Sequence, residues 1–194
     1  MRGQPAKILG ADEIRLVLAA GLSKRYPARN RVIVLLSVKA GLRACEIARL
    51  RWLMVTDASG NVASTIDLPA RAAKKGSGRR IPIHPELRDA LIELQQASGP
   101  TAFGDAVVRS ERTGAMTAKA IVDWFADLFA DVGLHGCSSH SGRRTFVTRA
   151  ARLVEKAGGS LRDVQQLVGH RSLKTTQGYI DGDFDAQRRL IGLL

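Results

Sequence analysis

The sequence predicts a mainly α-helical protein interrupted by one small antiparallel β-sheet, an α+β fold. Three observations lead there. Apolar residues recur at helical spacing through the first fifty positions, the pattern changes to β-type runs between Trp52 and Ile83, and helical periodicity resumes at Pro85. With 194 residues the chain can bury a real core and sits near the top of the usual range for one domain, so a single domain over 1–194 is expected.

In order, Ile14, Val17 and Leu18 follow a possible cap at Asp12 and mark a first helix. Val32, Leu35, Leu36 and Val38 run up to Gly41 as a second, and a short third begins near Arg43. Strands are expected at 52–56, 62–68 and 79–83, the first two joined by the turn-like Ala58-Ser59-Gly60-Asn61. Pro85 suits a first helical position, and Leu87, Leu91, Ile92 and Leu94 mark the apolar face of a helix over 85–97. A turn at Ser98-Gly99-Pro100 and an extended piece over 106–110 precede the strongest helix, 117–132. Its Trp124, Phe125 and Phe129 read as core, not as a base-stacking platform. Four short helices follow from His140, broken at Gly158-Gly159, at Gly169 and around Gly182.

Lys and Arg number 30 against 18 Asp and Glu, a formal charge of +12, so the natural partner is an acidic polymer. Nucleic acid fits better than a membrane surface, because no amphipathic anchor is visible and no apolar run approaches eighteen residues. Cys45 and Cys137 suggest no disulfide framework, and a reduced cytoplasmic protein is expected.

Four segments carry groups suited to chemistry at a phosphate. In Ser-Ser-His-Ser-Gly-Arg-Arg, His140 and Arg143 stand three apart at a helix start, so a guanidinium and an imidazole share one face. In Gly-His-Arg-Ser-Leu-Lys-Thr-Thr-Gln-Gly-Tyr, a helix ends at Gly169-His170 and another begins at Ser172, with Tyr179 in its second turn. A free phenol has a pKa near 10, so a tyrosinate at pH 7 lies roughly 4 kcal/mol uphill and needs a base and nearby cations. In Gly-Leu-Arg-Ala-Cys-Glu, Arg43 adjoins the free NH groups of a helix N-terminus and Glu46 can orient it. Five basic residues between Arg71 and Arg80 surround a Gly-Ser-Gly tip, where a hairpin could present a lysine to a DNA groove as a proton donor. Alone, the His140–Arg143 pair and Tyr179 would more often belong to an ordinary solvated or packed surface, and the basic loop is equally compatible with one.

Together and in this order, the four segments resemble the catalytic domain of tyrosine recombinases, the phage-integrase family that includes the Xer recombinases. The likeness runs from about Ile8 to the C-terminus. It implies the tyrosine-recombinase catalytic fold, with Tyr179 as nucleophile, Arg43 and Arg143 clamping the scissile phosphate, His140 assisting proton removal and His170 hydrogen-bonding the same phosphate. Lys74, preferred over Lys75 by counting back from Ile81-Pro82, would protonate the 5′-oxygen. Lys75, Arg79, Arg80, Arg144, Arg171 and Lys174 are expected on the DNA. The product would be a 3′-phosphotyrosyl link, with no cofactor and no metal.

The chain departs from the family pattern at Gly142, where leucine is usual, and at Arg144, where histidine is frequent. Only 42 residues precede Arg43, so no separate N-terminal core-binding domain is expected, as in the short recombinases that invert fimbrial switches. DNA binding is then expected to be weak and salt-sensitive, with an accessory DNA-binding protein as a candidate partner. Leu190, Ile191, Leu193 and Leu194 make the tail over 180–194 suited to packing, either between subunits of a homotetramer on DNA or on its own domain. The expected setting is the bacterial cytoplasm, associated with the nucleoid. The alternatives are relaxation of supercoils in the manner of type IB topoisomerases and a non-catalytic DNA-binding regulator derived from an integrase. A metal hydrolase built on His135, Cys137 and His140 lacks the paired ligands that a zinc site needs.

Overall fold

A computed structural model describes residues 6–179 apart from 100 and 113, together with 188, 191 and 192; the side chain of Lys75 also lies outside it. The elements are α1 (Ala11–Ser23), α2 (Pro27–Val38), α3 (Ala44–Arg49), β1 (Thr65–Leu68), β2 (Arg79–Pro82), α4 (Pro85–Ala97), α5 (Ala118–Asp131), α6 (Ser141–Leu153), α7 (Leu161–Val168) and α8 (Leu173–Gln177). Short 3-10 turns occupy Trp52–Met54 and Lys74–Gly76. The fourth helix expected near the C-terminus, and the tail with it, falls outside the described residues except at 188, 191 and 192, of which 188 and 191 are helical.

Helix α2 organises the fold. Every side chain from Val32 to Val38 is buried, and a helix apolar on all sides needs neighbours on all sides. Those neighbours are α1, α4 and α6. Helix starts follow local chemistry: Pro27 and Pro85 occupy first-turn positions where a missing N–H costs nothing, and Thr117 Oγ1 accepts the Ala120 amide at 3.1 Å to cap α5. The cap of α1 is Gly10, not Asp12, whose side chain instead pairs with Arg15. Phe125 and Phe129 are buried and stacked at 5.8 Å, with Trp124 edge-on to Phe125, as expected of core aromatics.

The sheet is smaller than the sequence predicts. β1 and β2 form one antiparallel hairpin, with Ile66 opposite Ile81 and Leu68 opposite Arg79. Residues 52–54 turn as a 3-10 helix, and 56–62 close through a single bridge, Thr56 to Val62. The reason lies in burial: Trp52, Met54 and Val55 are all inside, and a straight strand would send Met54 and Val55 to opposite faces.

Two apolar clusters result. The larger gathers α1 to α5 and the hairpin. The smaller consists of Val147, Val164 and Val168, with Phe146, Val154 and Tyr179 packed against it. Helix α6 joins them and crosses α2 closely at Gly142, where an added Cβ would stand 2.3 Å from Ser37 Oγ and 2.9 Å from its Cβ. This contact accounts for glycine at a position where the family resemblance leads one to expect leucine.

Gly142→Ala tests the crossing. In an open helix the change would stabilise by up to about 1 kcal/mol, but here the expected result is a net loss of about 1–3 kcal/mol from overpacking. Urea unfolding decides the sign.

Candidate active site

Arg43, Lys74, His140, Arg143, His170 and Tyr179 meet where the two clusters join. One cleft of about 450 Å³ is lined by Arg43, His140, Arg143, Arg144, Lys174, Thr175 and Tyr179. A second, of about 230 Å³, is lined by Arg43, Lys74, Ser77, His170, Arg171 and Thr175. Arg43 and Thr175 belong to both, so the two are one continuous basic recess. A wider polar groove of about 670 Å³ continues between β2 and α7 past Arg80, Arg162 and Arg171.

Arg43 is the residue that caps α3, and the Glu46 carboxylate one turn later accepts from its backbone N at 3.0 Å and from its Nη1 at 3.1 Å. Glu46 is fully buried. It also receives two parallel bonds from the Arg79 guanidinium, each 3.1 Å, and the backbone N–H of Lys74 at 3.3 Å. Burial would raise the Glu46 pKa, but the hydrogen bonds and charges of Arg79 and Arg43 prevail and hold it at about 2. The carboxylate therefore stays ionised and orients Arg43 as the sequence suggests.

His140 is the residue that caps α6, and Arg143 lies in the first turn. Arg143 is 3% exposed, and it donates to the carbonyl oxygens of Gly41 and, at 2.9 Å, Val168. A guanidinium has five N–H groups, so these two bonds orient it while leaving donors for a ligand. Burial and the neighbouring Arg43 charge lower its pKa to about 10, still cationic at neutral pH. The His140 side chain is solvent-facing. Its pKa lies below the usual 6.5 through partial burial and the charges of Lys74, Arg143 and Arg43.

Gly169 ends α7 in the left-handed conformation, φ 66°, and turns His170 back into the recess. The His170 backbone carbonyl accepts from Gln165 Nε2 at 3.0 Å, and its Nδ1 lies 3.1 Å from Thr176 Oγ1. Burial, then the charges of Arg143, Arg43 and Arg79, push the His170 pKa down to about 4. Its ring stacks on Tyr179, with centroids 5.5 Å apart. Tyr179 is half-buried and lies two residues beyond α8, not in a second helical turn: α8 ends at Gln177, and the chain turns with Tyr179 N bonded to the Thr176 carbonyl at 3.1 Å. Five residues of helix suffice to carry Thr176 under the histidine and leave the phenol at the rim.

The flanking basic residues divide. Arg171 and Lys174 are exposed along the recess. Arg80 is exposed and forks onto Asp67 at 2.6 and 3.1 Å, while Arg144 lines the cleft with its Nε buried and unpartnered. Arg79 is a correction. Expected on the DNA, its side chain is 4% exposed and committed to Glu46 and, through Nε, to the Leu167 carbonyl at 3.1 Å. Leu68 lies opposite Arg79 across the hairpin and both point to the buried face, which turns this arginine inward. Sequence reasoning missed Thr176 and Gln165. The available signal was a polar residue inside an apolar stripe, since Gln165 sits between the buried Val164 and Val168. Among the described residues no cluster of three His, Cys, Asp or Glu side chains stands ready for a metal, and no helix is long and apolar enough to cross a membrane.

These groups make folding stability acid-sensitive in two windows. Between pH 6.5 and about 4 the unfolded His170 binds a proton that the folded one does not, so stability falls as pH falls. Between the ordinary carboxylate range near 4.5 and about 2, the depressed Glu46 adds a second loss in the same direction. Thermal melts from pH 7 to 3 should fall along the whole range, and His170→Ala should flatten the upper window only.

The sequence pattern of the phage integrase family matches residues 7–185. Tyrosine recombinase XerC of Brucella suis biovar 1 (strain 1330) is 30% identical over 190 residues, 95% of this chain and 56% of that protein. The crystal structure of XerA recombinase is similar with a TM-score of 0.74 and 25% identity, over 100% of this chain and 65% of that one. XerH site-specific recombinase, solved bound to palindromic difH substrate, shares the fold at a TM-score of 0.72 and 20% identity, over 97% of this chain and 53% of that chain. The chain thus spans about half the length of the curated relatives it matches. Matched over nearly all its length, and carrying each of the motifs by which the resemblance was first drawn, the chain belongs to the phage integrase family.

Proposed function

We propose that this chain is the catalytic domain of a site-specific DNA recombinase that cuts and rejoins duplex DNA through a covalent link to Tyr179. The observation that carries the reading is the gathering of one tyrosine, two arginines, two histidines and one lysine around a single recess. Tyr179 Oη attacks the scissile phosphorus, the bond to O5′ breaks, and a 3′-phosphotyrosyl ester remains. Attack by a 5′-hydroxyl of partner DNA reverses the step. One phosphate ester is exchanged for another each time, so no high-energy cofactor is required.

The position of each group supports a role for it. Arg43 and Arg143 face the non-bridging oxygens, where charge grows in the transition state, with Glu46 and two backbone carbonyls holding them in place before substrate arrives. Partial burial and then the charges of Lys74, Arg143 and Arg43 favour neutral His140, which takes the tyrosyl proton. His170 is neutral as well; with Thr176 donating to Nδ1, the hydrogen sits on Nε2, which donates to the phosphate. Lys74 returns a proton to O5′. The phosphate backbone of the duplex runs over Lys75, Arg80, Arg144, Arg171 and Lys174. On DNA the chain works as a homotetramer, with the apolar tail between subunits and an accessory DNA-binding protein aiding site choice, in the nucleoid of a bacterial cytoplasm.

A nicked duplex whose cleaved end diffuses away traps the intermediate. An SDS-resistant adduct that forms in EDTA and is absent in Tyr179→Phe is the expected result; no adduct on DNA that the chain binds would sink the proposal. Arg143→Ala should slow adduct formation on the order of 10²–10³-fold. For His140, kcat/KM should be level around neutrality and fall only below pH 6.5, and His140→Ala should remove that fall. Binding should weaken steeply with salt, log K falling by about 0.9 for each phosphate contacted per decade.

A further inference from the structure

We propose that Arg79 is a positioning residue for leaving-group protonation: by gripping both oxygens of Glu46, it anchors the hairpin that carries Lys74. The inference rests on the reading of Lys74 as the proton donor to O5′.

The Glu46 carboxylate is the point from which both groups hang. Its Oε2 takes the Arg43 backbone N–H and one arm of Arg79; its Oε1 takes Arg43 Nη1, the other arm of Arg79 and the backbone N–H of Lys74. The Lys74 bond is the longest of the five, 3.3 Å, and it ties the turn at the tip of the hairpin to α3. A carboxylate held by a fork from one side cannot rotate; released from the fork, it would follow Arg43, and the Lys74 bond would be the first to break. Arg79 Nε meanwhile reaches the Leu167 carbonyl, three residues before His170, so one side chain links α3, the hairpin and the end of α7.

Charge gives the second argument. Glu46 alone would cancel one of the cations that face the phosphate. Paired also with Arg79, at 4% and 0% side-chain exposure, it is shared between two guanidiniums, so the recess keeps a net positive charge toward the substrate. Lysine in place of Arg79 would keep the charge but lose the fork.

The test separates protonation from general folding. Two nicked duplexes are compared, one natural and one with sulfur replacing the bridging 5′-oxygen, so that the P–S bond breaks and a thiolate departs without needing a proton. Arg79→Lys, which keeps a cation opposite Glu46, is expected to slow adduct formation on the oxygen substrate on the order of 10- to 100-fold, yet to stay within about threefold of wild type on sulfur. Lys74→Ala should show the same pattern. Equal losses on both substrates, or no loss on oxygen, would overturn the inference. Wild type failing on both substrates would instead overturn the recombinase reading on which it rests.

Discussion

A carboxylate inside a protein must be surrounded by donors, and the burial of Glu46 imposes that condition on everything near it. One oxygen pair gathers the cap of α3, the arginine of β2 and the turn between the strands. Losing both guanidinium partners would leave the buried charge unpaired, at a cost of about 3–5 kcal/mol. The hairpin, only four residues on each strand, has little pairing of its own to hold it. Its attachment to the helical body combines the packing of Ile66, Leu68 and Ile81 in the large cluster with the polar bonds to this one ionised group.

The second constraint uses helix ends. The last carbonyls of a helix lack internal partners and must find donors elsewhere. In α7 those of Leu167 and Val168 are taken by Arg79 and Arg143. The carbonyl of Gly41, just past α2, is likewise taken by Arg143. Arginines of the site thus satisfy backbone that folding leaves open, and backbone orients the arginines. Binding and architecture share the same bonds.

Much of this is legible in the sequence. The helices over 11–23, 27–38 and 85–97 announce themselves by apolar periodicity, the last also by the proline at its start, and the Arg43–Glu46 spacing foretells their pairing. The fate of Arg79 is not legible locally. In a run of five basic residues nothing marks one as inward, because the deciding partner, Glu46, lies 33 residues earlier in the chain. The short strands failed for a similar reason: the burial of Trp52, Met54 and Val55 depends on tertiary neighbours and overrides the β pattern. Tyr179 misses its helix because α8 is cut short at Gln177, where Gly178 weakens continuation. The motif residues converge on one recess because their spacing records faces and turns, which are local.

The division of the core into two clusters has a thermodynamic meaning. Arg43 and Lys74 stand on the large cluster, whereas Tyr179 and the α7 segment leading to His170 pack on three buried valines. Regions with few buried apolar groups open at lower free energy than the whole protein. The small cluster is therefore expected to open at lower free energy than the rest, and its opening would carry Tyr179 away from the cations. On the function proposed above, a molecule opened in this way could not form the covalent link, so local unfolding would switch the site off before the fold as a whole is lost.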